Sequence, residues 1–146
     1  MVPPCNSISL RTRVRPIPSP PSLRSWNAVD AQGKLHAAAE FLGKPTIVIF
    51  YLGHSCLHCT QQLTAFAERQ AEFEQLGVQL VGLGTDDLAG LTASLKNYEP
   101  KRFPFLLLSD AHFTTFKEWR CFDDFENQPL HGTFLIDGKG RLRWWD

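Results

Sequence analysis

One short run of β-branched and aromatic residues, TIVIFY at positions 46–51, constrains the fold of this chain more than any other segment. The run does not alternate between apolar and polar residues, as a strand with one solvated face does. It is therefore typical of a central strand that is covered on both faces. The run is far too short for the roughly 20 apolar residues that a membrane-spanning helix needs.

Segments with helical spacing alternate with further apolar strands around this run. The predicted strands are a hairpin over 26–36, the central strand, strands over 78–83 and 103–108, and a hairpin of 133–136 with 142–145. A helical turn is predicted over 37–42, and a helix that Gly77 ends carries Leu63, Phe66, Ala67, Phe73 and Leu76. A further helix has Asp86 as N-cap and Leu88, Leu91, Leu95 and Tyr98 on one face, and Asp110 caps a short helix. This order predicts an α/β fold, a three-layer sandwich around a mixed sheet. No helical pattern follows the last hairpin, so we expect the fold to lack a C-terminal helix.

The length and composition fit a single domain. A chain of 146 residues with 43% hydrophobic content buries one core. Residues 1–22 hold six of the ten prolines and are predicted to be a disordered tail, which leaves 23–146 as the domain. The 15 basic and 15 acidic residues balance, so neither nucleic acid nor a membrane is an expected partner. The tail lacks the apolar region of a secretory signal, which favours a cytoplasmic location.

Two of the four cysteines form a close pair. Cys5 lies in the tail and Cys121 stands alone, whereas Cys56 and Cys59 are separated by two residues at the start of the helix after the central strand. The amide groups and dipole of a helix N-terminus favour a thiolate, and a protonated His58 would add to this effect. The pair therefore predicts dithiol–disulfide chemistry with at least one unusually acidic sulfur, and a structural or idle pair is the alternative.

The same segment also contains residue types that bind zinc. Cys56, Cys59, His58 and His54 are all zinc-type ligands. A closed structural zinc site usually requires a second well-spaced pair, and Cys121 has no neighbouring cysteine. We therefore predict no metal site, and nothing in the sequence predicts a cofactor.

Residues 26–146 resemble the alkyl hydroperoxide reductase and thiol-specific antioxidant (AhpC/TSA) family, which includes the peroxiredoxins and has a thioredoxin-like fold. The resemblance rests on Gly43-Lys44-Pro45 before the central strand, Cys59 at the next helix start, Gly77-Val78 before a strand, and TFLID at 133–137. Together these features are fairly specific. They place the C-x-x-C pair at the active-site position of the family.

The chain departs from the family pattern at two positions. The family motif is P-x-x-x-T/S-x-x-C, and with its cysteine at Cys59, Leu52 takes the place of the proline and Cys56 that of the hydroxyl residue. The arginine that many members carry before the T-F-x-I-D strand appears here as His131. In the family these donors orient the peroxide and stabilise the leaving oxygen.

The resemblance implies a thiol peroxidase with an antioxidant role in cell redox homeostasis. Cys59 would attack a peroxide and become a sulfenic acid, and Cys56 would condense with it to a disulfide. An external dithiol reductant, such as a thioredoxin-like protein, would reopen that disulfide. His131 and His58 are the candidates for stabilising the thiolate.

Two other functions remain open at this point. The segment is also similar to thioredoxin-like protein disulfide reductases, in which Cys56 would attack a disulfide substrate and Cys59 would resolve the mixed disulfide. The other alternative is a non-catalytic redoxin module, or a fragment of a larger domain.

Overall fold

A seven-stranded mixed sheet forms the middle layer of the fold. The computed structural model describes residues 26–98 and 102–146, so the predicted tail and Cys5 lie outside the described residues. The elements are β1 (Asn27–Val29), β2 (Leu35–Ala37), a 3₁₀ helix (Ala38–Phe41), β3 (Thr46–Tyr51), α1 (Leu57–Glu68), α2 (Gln70–Gln75), β4 (Gln79–Gly84), α3 (Leu88–Lys96), β5 (Leu106–Ser109), α4 (Thr114–Glu118), β6 (Phe122–Asp123), β7 (Gln128–Pro129), β8 (Gly132–Ile136) and β9 (Leu142–Trp145). The sheet order is β2-β1-β5-β4-β3-β8-β9, and β6 and β7 form a separate small sheet.

The predicted central strand is confirmed as β3. It pairs in parallel with β4 and antiparallel with β8. Val48 and Phe50 belong to the hydrophobic core on one face of the sheet, and Ile49 and Tyr51 belong to the core on the other face. The lack of alternation in the sequence therefore reflects burial of both faces.

Each core is closed by a different set of helices. On one face Leu63 of α1 and Leu91 of α3 pack against the sheet. On the other face Phe116 of α4 and Phe41 of the 3₁₀ helix do so. The architecture is thus the predicted three-layer sandwich with a mixed sheet. No helix within the described residues is long and apolar enough to cross a membrane.

The helix predicted between the central strand and Gly77 is divided into two. The backbone leaves the helical conformation at Arg69, with φ −103° and ψ 10°, so α1 ends and α2 begins around this residue. The rings of Phe66 in α1 and Phe73 in α2 pack against each other across this break, with 5.7 Å between centroids. Leu76, predicted to lie on the buried face, is instead 75% exposed.

The predicted N-cap of α3 is wrong by one residue. Asp87, not Asp86, is the N-cap, and its side chain accepts a hydrogen bond of 2.8 Å from the amide of Gly90. A carboxylate in this position pairs with an otherwise unpaired amide of the first turn. Asp86 is thereby left to contact the loop that follows β3, as described below.

The strand predicted over 103–108 begins three residues later than expected. Pro104 has no amide hydrogen for sheet pairing, and β5 starts at Leu106. The ring of Phe103 packs against Tyr98 and Phe105 instead, each at 4.6 Å between centroids.

Both predicted hairpins are present in the structure, as β1 with β2 and as β8 with β9. In the first hairpin Asp30 accepts hydrogen bonds from the amides of Gln32 and Lys34. In the last hairpin β9 forms the outer edge of the sheet, with Trp144 and Trp145 partly exposed. Phe113, not the predicted Asp110, holds the N-cap position of α4, but the Asp110 carboxylate accepts a hydrogen bond from the amide of Phe116 in the first turn.

Candidate active site

The loop between β3 and α1 places Cys56 at the helix N-terminus. Gly53 turns the chain with φ +88°, a left-handed conformation that favours glycine. Cys56 follows with extended dihedrals and is the N-cap of α1, its sulfur accepting from the amide of Cys59 at 3.4 Å. A thiol thus takes the position usually held by a hydroxyl or carboxylate. The Cys56 side chain is half-buried.

Cys59 is the third residue of α1 and is buried. Its residue exposure is 1%, and it belongs to the core between α1, α3 and the sheet. The amide of Leu52, at the end of β3, points at the Cys59 sulfur across 3.3 Å. The sulfur therefore receives a backbone donor from the strand as well as the field of the helix N-terminus.

Sheet topology brings His131 to the two sulfurs from a position 72 residues away from Cys59. β8 runs antiparallel to β3, with Gly132 paired to Phe50, so the residue before β8 lies beside the loop that follows β3. His131 Nε2 lies 2.8 Å from the Cys59 sulfur and 3.6 Å from the Cys56 sulfur. The two sulfurs and this nitrogen all lie within 4.8 Å of one another.

Three of the four predicted site residues therefore come together, and His58 is the exception. Its side chain is exposed on α1 and makes no hydrogen bond to either sulfur in the described part of the chain. Position between two cysteines in sequence does not imply proximity to them, because successive helix residues point about 100° apart.

Asp86 holds the loop that carries Cys56, a role that the sequence did not reveal. Its carboxylate accepts a hydrogen bond of 2.9 Å from the amide of His54 and lies 2.7 Å from Nδ1 of the same residue. A side chain at Gly53 would meet this carboxylate at 2.7 Å. The only sequence signal is an acidic residue just after β4, which is equally consistent with a helix cap.

Gly132 positions His131 for a related steric reason. A Cβ atom at Gly132 would lie 2.6 Å from the Cys121 sulfur and 2.8 Å from the ring of Phe134. The start of β8 can therefore approach the core only with glycine at this position. The close approach places the preceding histidine at the sulfurs.

The sequence predicts that at least one of the two sulfurs is unusually acidic, and Cys59 is not that sulfur. Burial and the hydrogen bond with Cys56 together raise the pKa of the Cys59 thiol to about 11, although the amide of Leu52 acts to lower it. His131 Nε2, at 2.8 Å, is the ring nitrogen in contact with this buried sulfur. Burial also raises the pKa of the Cys121 thiol, to about 12.

The arrangement supports two kinds of chemistry. All three described cysteines are free thiols, and the separation of the Cys56 and Cys59 sulfurs is small enough for disulfide formation with a local movement. The two sulfurs and the imidazole are also the donor types that bind soft metal ions.

The described fold and this cysteine pair at a helix start define a thioredoxin-like dithiol protein.

Comparison with known proteins assigns the family. The AhpC/TSA family profile matches residues 22–145, so this chain belongs to the AhpC/TSA family. The chain is 36% identical to the chloroplastic peroxiredoxin Q of Populus jackii over 117 residues, which cover 80% of this chain and 54% of the relative. It is 34% identical to the chloroplastic peroxiredoxin Q of Triticum aestivum over 116 residues, 79% of this chain and 52% of the relative.

The fold is also shared with a solved structure of more distant sequence. The crystal structure of peroxidoxin BcpB from Mycobacterium tuberculosis matches with a TM-score of 0.76 at 20% identity, covering 88% of this chain and 84% of that one. At this identity the likeness shows the common fold. The chain spans about half the length of the curated relatives it matches.

Proposed function

We propose that this chain is a thiol-dependent peroxide reductase in which Cys59 attacks the peroxide and Cys56 resolves the product. The observation that supports this most directly is the contact of the Cys59 sulfur with His131 Nε2 at 2.8 Å, beside a second thiol at the helix N-terminus. Membership of the AhpC/TSA family supports the same reaction.

The reaction runs in three balanced steps. The Cys59 thiolate attacks one peroxide oxygen, the O–O bond breaks, and the other oxygen leaves as an alcohol or water after taking up a proton. The Cys56 thiol then attacks the sulfenic acid, which forms the disulfide and releases water. An external dithiol, of the thioredoxin-like kind, reduces the disulfide by exchange and is itself oxidised.

His131 and Cys56 together take the place of the family donors that orient the peroxide. Cys56 stands in place of the family's hydroxyl residue and His131 in place of its arginine. The Cys56 sulfur lies 3.6 Å from His131 Nε2. Protonated, His131 pairs with the buried thiolate of Cys59 and offsets the cost of its burial. Protonated His131 also donates a proton to the leaving oxygen. We assign no step to His58.

The test is single-turnover reaction with one equivalent of hydrogen peroxide. In Cys56→Ser, a dimedone-type probe should trap a sulfenic acid at Cys59, because no resolving thiol remains. In Cys59→Ser, peroxide consumption should fall to the uncatalysed background. Mass spectrometry of peptides locates the oxidised sulfur in each case.

Cys121→Ala is the matched control. Cys121 is as buried as Cys59 but has neither an imidazole nor an amide donor at its sulfur among the described contacts. Peroxide turnover in this variant should equal that of the parent chain. Unchanged turnover in Cys59→Ser would refute the proposal.

Disulfide exchange is the second candidate, and the exposure of the two sulfurs favours it. Cys56 is half-buried and accessible to a large substrate, whereas Cys59 is buried with a raised pKa, as suits a resolving thiol. In this mechanism Cys56 attacks a protein disulfide and Cys59 releases the mixed disulfide. An insulin-type reduction assay with Cys59→Ser separates the two functions, because only disulfide exchange predicts a trapped mixed disulfide at Cys56.

A further inference from the structure

We propose that the reduced form of this chain binds one Zn²⁺ ion through Cys56, Cys59 and His131. These residues offer two sulfurs and one ring nitrogen within 4.8 Å of one another, the one such group of three among the described residues. Two thiolates and one imidazole form a donor set that zinc uses with a fourth position left for water. Zinc binding itself does not depend on the proposed peroxide chemistry.

The observed distances are close to those a zinc ion requires. Zn–S bonds of about 2.3 Å and Zn–N bonds of about 2.0–2.1 Å place tetrahedral ligand atoms about 3.5–3.8 Å apart. The Cys56 sulfur and His131 Nε2 already lie 3.6 Å apart. The contact of 2.8 Å between the Cys59 sulfur and His131 Nε2 must open by about 0.8 Å to reach that range. The two sulfurs lie within 4.8 Å of one another and must settle at about 3.8 Å.

His131 and Cys56 are the two ligands with room to move when the ion binds. His131 is exposed and Cys56 is half-buried, whereas Cys59 is fixed in the core. Since His131 presents Nε2 to the sulfurs, the neutral ring binds through this atom and keeps its proton on Nδ1.

Binding is coupled to the redox state of the cysteine pair. The ion replaces two thiol protons, which are released to solvent, and no electron is transferred. A Cys56–Cys59 disulfide removes both thiolate ligands, so zinc and the disulfide exclude each other. If the proposed function holds, bound zinc also blocks the reaction with peroxide, and this consequence alone rests on that proposal.

The experiment measures the affinity for Zn²⁺ by competition with a chromophoric chelator, using the full chain with Cys5→Ser. The reduced chain should bind one equivalent, and the same chain oxidised to the disulfide should bind none. His131→Gln should weaken binding by about 100-fold or more, since changes even in outer-shell partners cost 10- to 100-fold. Far-UV circular dichroism establishes that each variant is folded.

His58→Gln is the matched control, because its imidazole lies between the two cysteines in sequence. The structure places it outside the three-residue group, so its affinity should stay within about threefold of the parent. The proposal is overturned if the reduced and oxidised chains bind zinc equally, or if His131→Gln binds as tightly as the parent. The peroxide assay runs separately without zinc, so its failure leaves the result for zinc intact.

Discussion

Two histidines in this molecule have two close partners each, but the partners differ in kind. His36 in β2 is buried, with Nε2 2.9 Å from an oxygen of Asp30 and Nδ1 3.0 Å from an oxygen of Glu40. His131 is exposed and turns one nitrogen toward two sulfurs. A histidine paired with oxygens on both sides stabilises the hairpin at one end of the sheet, whereas the one facing sulfurs lies where a thiol can react.

The pKa shifts of His36 and Asp30 show how these two side chains stabilise each other. The hydrogen bond with Asp30 raises the pKa of His36, burial acts to lower it, and the bond with Glu40 raises it again. For Asp30 burial acts to raise the pKa, but the bonds from His36 and from the amides of Lys34 and Gln32 prevail and lower it. His36 and Asp30 therefore form an ion pair in which both charged forms are stabilised.

The largest expected effect is on reaction rate at His131. In His131→Gln we expect the second-order rate constant of Cys59 with hydrogen peroxide to fall by about 100-fold, the usual cost of removing one donor to a developing charge. Because His131 is exposed, the free energy of unfolding should change by less than about 0.5 kcal/mol. Stopped-flow peroxide consumption and urea denaturation measure the two quantities. A rate equal to that of the parent would place His131 outside the reaction.

The reciprocal variant, His36→Leu, should change stability and not rate. It leaves the buried carboxylate of Asp30 without its side-chain partner, and we expect the free energy of unfolding to fall by about 1–3 kcal/mol. The peroxide rate constant of the folded variant should match the parent. A urea melt at pH 6 together with the stopped-flow assay tests both parts. A large loss of rate without a loss of stability would contradict the division between the two regions.

Glycines in the two regions provide a matched pair of substitutions. Gly33, in the turn before β2, and Gly53, in the loop before Cys56, both have a left-handed φ, of +80° and +88°. A methyl group at Gly33 contacts nothing within 4 Å, whereas one at Gly53 meets the Asp86 carboxylate at 2.7 Å. Gly33→Ala should cost about 1 kcal/mol of stability from backbone strain alone.

Gly53→Ala should cost more than that, and it should also slow the reaction with peroxide because it displaces the loop that carries Cys56. Thermal or urea melts give the difference in stability, and the peroxide assay gives the change in rate. Equal costs for the two substitutions would show that the contact with Asp86 does not constrain the loop.

The smallest expected effect is a pH dependence of stability from His36. Its folded pKa lies above the unfolded value of about 6.5, so its contribution is complete below pH 6.5 and is lost as the pH rises through the folded pKa. The stability difference between the parent and His36→Leu should therefore shrink from pH 6 to pH 9. Urea midpoints across this range measure it, and a constant difference would mean that His36 does not change its protonation there.

Much of the fold could be predicted from local sequence because local physics determines it. The strand β3 has no alternation since both its faces are buried, and the last hairpin has a clear turn signal. The break at Arg69 was missed because the apolar spacing of Leu63 and Phe66 continues through it to Phe73. The cap of α3 was misplaced because Asp86 and Asp87 are adjacent and chemically identical.

The candidate site was predictable to the extent that it is local. The spacing of Cys56 and Cys59 signals a dithiol, but only resemblance to a family pointed to His131, since sheet pairing brings it from 72 residues away. Burial also depends on tertiary packing, and this is why a helix-dipole argument cannot predict that the pKa of Cys59 is raised. The partners of His36 follow no periodic pattern in the sequence.

The placement of Cys56 as the N-cap of α1 makes each reaction at its sulfur an event at the end of a helix. The Cys56 sulfur accepts the amide of Cys59 at 3.4 Å in the dithiol form. Forming a disulfide moves this sulfur and lowers its electron density, which weakens the hydrogen bond, so the first turn of α1 then frays more readily. Hydrogen exchange of the amides in that turn should therefore report the oxidation state of the protein without any added probe.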